Sequence, residues 1–85
     1  MTSVRHLTEY NRFVVECSDA QAVLQYSLSK QDDGATAIDF SSTFVPPAAR
    51  GKGIAEALVH AGIKWAKEQG YVLHASCWYV AKFIR

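Results

Sequence analysis

Apolar and polar positions alternate along most of the first half of the chain. Phe13, Val15 and Cys17 alternate with Val14 and Glu16, which predicts a first strand with Cys17 as a small buried apolar residue. Ser18-Asp19 reads as a turn. Ala22, Leu24, Tyr26 and Leu28 then alternate with Val23, Gln25, Ser27 and Ser29, giving a second strand. Gln31-Asp32-Asp33-Gly34 is a hairpin signal, because Asp-Gly suits the left-handed positions of a tight turn. The third strand runs from Ile38 to Val45, with Ile38, Phe40 and Phe44 on one side and Asp39, Ser41 and Thr43 on the other. Pro46 and Pro47 cannot donate to a ladder and end it.

After Gly53 the period changes to that of a helix. Ile54, Ala55, Leu58, Val59, Gly62, Ile63, Trp65 and Ala66 make one apolar arc opposite Glu56, His60, Lys64 and Lys67. Gly70 suits the left-handed residue that closes such a helix. Tyr71 to Ala75 predicts a fourth strand, parallel to the third through a right-handed crossover. Ser76 is placed to N-cap a short helix through Ile84, with Cys77 in its first turn. Met1 to Tyr10 has little pattern and reads as a loose leader. The expected fold class is α+β, a mixed α/β arrangement: an antiparallel three-stranded meander, a long helix, a parallel fourth strand and a short C-terminal helix.

Composition narrows the function classes. With 85 residues, the chain is expected to form a single domain, 1–85, near the lower size limit for a self-sufficient core. Hydrophobic residues make up 49%, which places it with globular proteins. A formal charge of +1, without a basic stripe, argues against a nucleic-acid partner. No apolar run is long enough to span a membrane, and no signal-peptide core opens the chain. Cys17 and Cys77 are too far apart in sequence to suggest a disulfide framework or a metal motif, so no metal and a cytoplasmic location are expected. His6 and His60 read as solvated, and His74 lies near the end of the fourth strand.

The chemistry concentrates where the third strand meets the helix. Amides of a helix's first turn have no partner within the helix, and its dipole adds positive charge there. Glycines let an anion approach that backbone, and Arg50 and Lys52 add two cations. The alternative is a tight turn at Gly51 and Gly53 with a solvated basic pair. Gly51-Lys52 is followed by Gly53, which excludes a P-loop, and Glu56 breaks the dinucleotide fingerprint. Ligands in such sheets sit beyond the carboxyl ends of the parallel strands, which puts Val45–Ala55 and Ala75–Tyr79 at one end.

The segment Arg50-Gly51-Lys52-Gly53-Ile54-Ala55 resembles the Arg/Gln-x-x-Gly-x-Gly/Ala signature of GCN5-related N-acetyltransferases. With Asp39-Phe40, Thr43-Phe44-Val45-Pro46 and Ser76-Cys77-x-Tyr79-Val80, the chain resembles a short branch that keeps the coenzyme A half of that fold. The resemblance covers most of Phe13 to Ile84. It implies that acetyl-coenzyme A is bound through the backbone of Arg50, Gly51, Lys52, Gly53, Ile54 and Ala55. It also implies that the edge at Phe44 and Val45 pairs with the pantetheine arm, and that Cys77 faces the thioester. Relatives often carry histidine at Ser42, proline at Ala75 and serine at Trp78; this chain departs at all three.

Two chemistries follow. Cys77 can take the acetyl group as a nucleophile and pass it on. Alternatively the acceptor, an unidentified small-molecule or protein amine, attacks directly while Tyr79 or Cys77 protonates the departing thiolate. The competing classes are a non-catalytic acyl-coenzyme A sensor and a small interaction module.

Overall fold

Hairpins carry the chain through four antiparallel strands before one long helix returns it to the same sheet. The computed structural model describes residues 3–17 and 20–84, so the turn expected at Ser18-Asp19 lies outside the described residues. Strands β1 (Arg5–Leu7), β2 (Arg12–Glu16), β3 (Gln21–Lys30) and β4 (Thr36–Phe44) are followed by α1 (Ile54–Gln69), β5 (Val72–Ala75) and α2 (Trp78–Ile84). The sheet order is β1-β2-β3-β4-β5. The first three pairings are antiparallel, and β4 pairs β5 in parallel. This is the expected α+β class, with the meander extended by one strand.

The core joins sheet and helix. Phe13, Val15, Leu24, Tyr26, Ile38 and Phe40 pack with Leu58, Val59 and Ala66 of α1 and Val80 of α2. Gly62 sets how close α1 lies. A Cβ there would come within 2.8 Å of Leu24 Cδ2 and 2.9 Å of Phe40 Cε1. Glycine inside a helix costs about 1 kcal/mol of propensity, a cost offset here by close packing onto the sheet. Gly70 takes the left-handed closing conformation, with φ 76°, and its amide bonds Lys67 O.

The N-terminal segment corrects the loose-leader expectation. Arg5, His6 and Leu7 pair with Val14, Phe13 and Arg12. His6 is not solvated. Its ring stacks on Phe13 with centroids 4.0 Å apart, meets Trp65 edge-on at 4.4 Å, and its Nε2 lies 2.6 Å from the Tyr26 hydroxyl. A polar side chain thereby completes an aromatic cluster and anchors β1 across β2 to α1.

Burial lowers the His6 pKa below its ordinary 6.5. The unfolded chain therefore binds the proton more readily than the folded one. The stabilisation from a neutral, packed imidazole is complete above pH 6.5 and is lost as pH falls through the lower folded-state value. Thermal melts should show a stability decline on acidification below 6.5. That component should be absent in His6→Gln, whose side chain does not titrate.

One irregularity shapes the site. Gln25 opposes Ser42 while Tyr26 opposes Phe40, which leaves Ser41 as an extra residue in β4. A bulge of this kind reverses the inward and outward phase of everything after it. Thr43 now opposes the buried Leu24, and Phe44 opposes Val23. Phe44 was expected beside Ile38 and Phe40, but is 51% exposed.

Candidate active site

The parallel pairing of β4 with β5 is short. It runs from Ala37↔Val72 to Phe40↔Ala75, and the last tie is Cys77 N–H to Phe40 O at 3.1 Å. Beyond the bulge, β4 continues to Phe44 with no β5 partner on that side. The resulting cleft holds a cavity of about 580 Å³, walled by the end of β4, the loop into α1 and the start of α2. That volume lies within the ~300–1,000 Å³ usual for small-molecule sites.

The loop end of the cavity suits an anion. After the Pro47–Ala49 turn, Arg50 Nε donates to Val45 O at 3.0 Å, which pins the loop to the strand end. Gly51 and Gly53 take left-handed conformations, with φ 83° and 75°, which other residues adopt only with strain. The first bond of α1 runs from Ala57 N–H to Gly53 O, and no side chain caps the helix. The amides of Ile54, Ala55 and Glu56 thus precede the hydrogen-bond ladder, at the positive end of the 16-residue helix dipole.

The other end holds a thiol. Ala81 N–H donates to Cys77 O at 3.0 Å, so Cys77 is itself the N-cap of α2. The expected cap, Ser76, is engaged elsewhere: Asp39 accepts its N–H at 2.8 Å and its hydroxyl at 2.7 Å. Burial pushes the Cys77 thiol up. The Val80 amide, the Thr43 hydroxyl and the Tyr79 and Thr43 amides push it down, and their combined effect leaves it below an ordinary cysteine. The Thr43 Oγ1 to Cys77 Sγ separation is 3.6 Å. Tyr79 moves the opposite way. Burial raises its pKa, and the Glu56 carboxylate raises it further, so the phenol keeps its proton at neutral pH.

The structure brings nearly all the expected residues to this one cavity. Phe44, Val45, Arg50, Gly51, Gly53, Ile54 and Ala55 line it with Cys77 and Tyr79. Lys52 does not; it lines a second cavity of about 210 Å³ with Glu16, Cys17 and Pro46. Cys17 is half-buried against the core, its sulfur 3.8 Å from Val15 O. His60 and His74 are exposed, outside the site. Thr43 and Glu56 were missed by sequence reasoning. The bulge turns Thr43 inward, while Glu56 looked like an ordinary solvated helix position. Trp78, 74% exposed, stands at the cavity rim, with Lys82 Nζ over its ring at 5.2 Å and over that of Tyr79 at 4.9 Å. Among the described residues, no cluster of His, Cys, Asp and Glu could hold a metal ion, and no helix is long and apolar enough to cross a membrane.

A family model described as GCN5-related N-acetyl-transferase matches residues 12–85. The chain belongs to this acetyltransferase family. Protein NATD1 of Bos taurus is 35% identical over 85 residues, covering 96% of this chain and 71% of that protein. Protein NATD1 of Danio rerio is 31% identical over 84 residues, with 96% and 73% covered. Two solved structures share the fold. An integron cassette protein from the mobile metagenome of Cole Harbour Salt Marsh gives a TM-score of 0.65 at 19% identity, over 76% of this chain and 45% of that one. A ribosomal-protein-alanine N-acetyltransferase from Brucella melitensis biovar Abortus gives 0.59 at 22%, over 82% and 57%. The chain therefore spans about half the length of these solved acetyltransferase-fold neighbours.

Proposed function

We propose that this domain binds acetyl-coenzyme A in the cleft between β4, α1 and α2, and transfers the acetyl group through Cys77 to an amine acceptor. The observation that carries the reading is the joining of two unlike ends in one cavity. An uncapped helix start with left-handed glycines faces a thiol held by amides and a hydroxyl. Family membership makes the coenzyme the natural ligand for the first end. The pyrophosphate takes the amides of Ile54 and Ala55, with Arg50 beside them. The free edge at the end of β4, at Phe44 and the Val45 that follows it, takes the amide-bearing arm. Lys52, facing the second cavity, contributes charge at longer range.

The electrostatics divide the chemical roles. A thiol whose pKa is lowered reaches the nucleophilic thiolate more readily than an ordinary cysteine, whereas Tyr79, its pKa raised, holds its proton. The Cys77 thiolate attacks the thioester carbonyl, a new C–S bond forms, and the bond to the coenzyme's sulfur breaks. The departing coenzyme A thiolate takes the Tyr79 proton. An acceptor amine then attacks the Cys77 thioester, the thiolate is released, and the amine's proton returns to the Tyr79 phenolate. Direct attack by the amine, with Tyr79 as the acid, uses the same cavity without the covalent intermediate.

Coenzyme A should stabilise the fold. At one hundred times the dissociation constant, linkage gives about 2.7 kcal/mol, readable as a rise in melting temperature. A melt unmoved by millimolar coenzyme A would remove the basis of the proposal. Tight binding with no turnover over a broad amine panel would instead support an acyl-coenzyme A sensor.

A further inference from the structure

Among the described residues, Asp39 is the one carboxylate that ties the sheet to the segment carrying the thiol, and the chemistry above leaves it without a role. It lies in β4 between Ile38 and Phe40, both fully buried, so alternation turns its side chain to the opposite face of the sheet. It pairs in register with His74 of β5. Two residues beyond His74 on the same strand course, Ser76 donates its amide and its hydroxyl to the two oxygens of Asp39. Both bonds are charge-assisted and short. The next residue, Cys77, donates its amide to Phe40 O, the carbonyl directly after Asp39.

These three bonds fix the backbone on both sides of the Ser76–Cys77 peptide. They stop β5 from continuing along β4 and turn the chain into α2 with the Cys77 side chain on the cavity side. Without the clamp, Ser76 is free to take the cap position its own hydroxyl favours, which would displace Cys77 from the amides of Tyr79 and Val80. The geometry points to Asp39 as a positioning residue that, through Ser76, sets Cys77 as the N-cap of α2 and so holds its sulfur against Thr43 in the cavity. This deepens the acetyl-transfer reading and rests on it for its catalytic meaning, although the placement of the sulfur can be tested without any acetyl donor.

The decisive readout is the pH profile of Cys77 alkylation by iodoacetamide, resolved from Cys17 by peptide mapping. The other titratable or charged groups lining the cavity with Cys77, namely Tyr79 of α2, Glu56 of α1 and Arg50 of the loop, are the same in every variant, as is His74 beside Asp39. In Asp39→Ala the midpoint should rise toward that of an ordinary cysteine. Acetyl adduct formation should fall about tenfold or more, as misplacement of a reacting group does. Coenzyme A affinity should hold, because Asp39 does not line the cavity. Asp39→Asn should restore most of the profile, since its Oδ1 can accept the Ser76 amide while its Nδ2 donates to the Ser76 hydroxyl. An Asp39→Ala protein that melts lower but keeps the wild-type profile has lost only stability, and the proposal is overturned. If the profile shifts as stated but wild type forms no acetyl adduct, the clamp stands and transfer through a Cys77 thioester fails separately.

Discussion

Cys77→Ala should bind coenzyme A with wild-type affinity, form no acetyl adduct, and transfer acetyl groups at a rate lower by roughly 100-fold or more, the scale of loss when a nucleophile is removed. The phosphate end of the cavity does not involve this side chain, so binding and transfer should separate cleanly. The fold should tolerate the change. Cys77 is only half-buried, and its backbone amide to Phe40 and its carbonyl to Ala81 remain. What disappears is the sulfur that meets the Thr43 hydroxyl and the amides of Tyr79 and Val80. Steady-state transfer and calorimetric titration on the same preparation check both halves. A variant that transfers at the normal rate would assign the reaction to direct attack, with Tyr79 as the acid.

Gly53→Val should abolish coenzyme A binding at concentrations that saturate wild type, while the domain stays folded. Gly53 sits at φ 75° and ψ 13°, immediately before the first helical residue of α1. An added Cβ meets no protein atom within 4 Å, so no packing clash is created in the free protein. The damage has two other sources. A β-branched residue in the left-handed region carries strain of about 1–3 kcal/mol, relieved by moving the amides of Ile54 and Ala55 away from their common direction. The side chain would also stand in the cavity that Gly53 lines. A loss of about 2 kcal/mol is already roughly 30-fold in affinity, and obstruction adds to it. Circular dichroism with titration calorimetry reads both fold and binding; a folded variant with wild-type affinity would place the ligand elsewhere. Arg50→Ala should be milder, a loss of a few-fold, because its guanidinium is exposed and screened.

The parts of the fold that were legible in the sequence are those with a clean period. The arc from Ile54 to Ala66 and the alternation from Ala22 to Leu28 gave α1 and β3 directly. The strand-helix-strand order from β4 through α1 predicted a parallel β5, as observed, and so placed the glycine loop and Cys77 at one end of the sheet. Three features escaped because long-range partners decide them. β1 is three residues long, and its anchor is a histidine whose burial among Phe13, Tyr26 and Trp65 no local pattern announces. The bulge at Ser41 has neither glycine nor proline to mark it, yet it moves Phe44 outward and Thr43 inward. Ser76 carries the better local capping chemistry. Asp39, 37 positions earlier, removes it from competition and leaves the cap to Cys77.

The most direct test of the central claim is to incubate the protein with acetyl-coenzyme A, quench in acid, and locate the adduct by intact-protein mass spectrometry with peptide mapping. A single acetyl group on Cys77, with Cys17 unmodified, is the predicted result. It follows from the sulfur's place in the cavity opposite the glycine loop, and from the Cys17 sulfur lying against Val15 O in a separate cavity. Acetylation of Cys17 alone, or no adduct while amine transfer proceeds at full rate in Cys77→Ala, would contradict it.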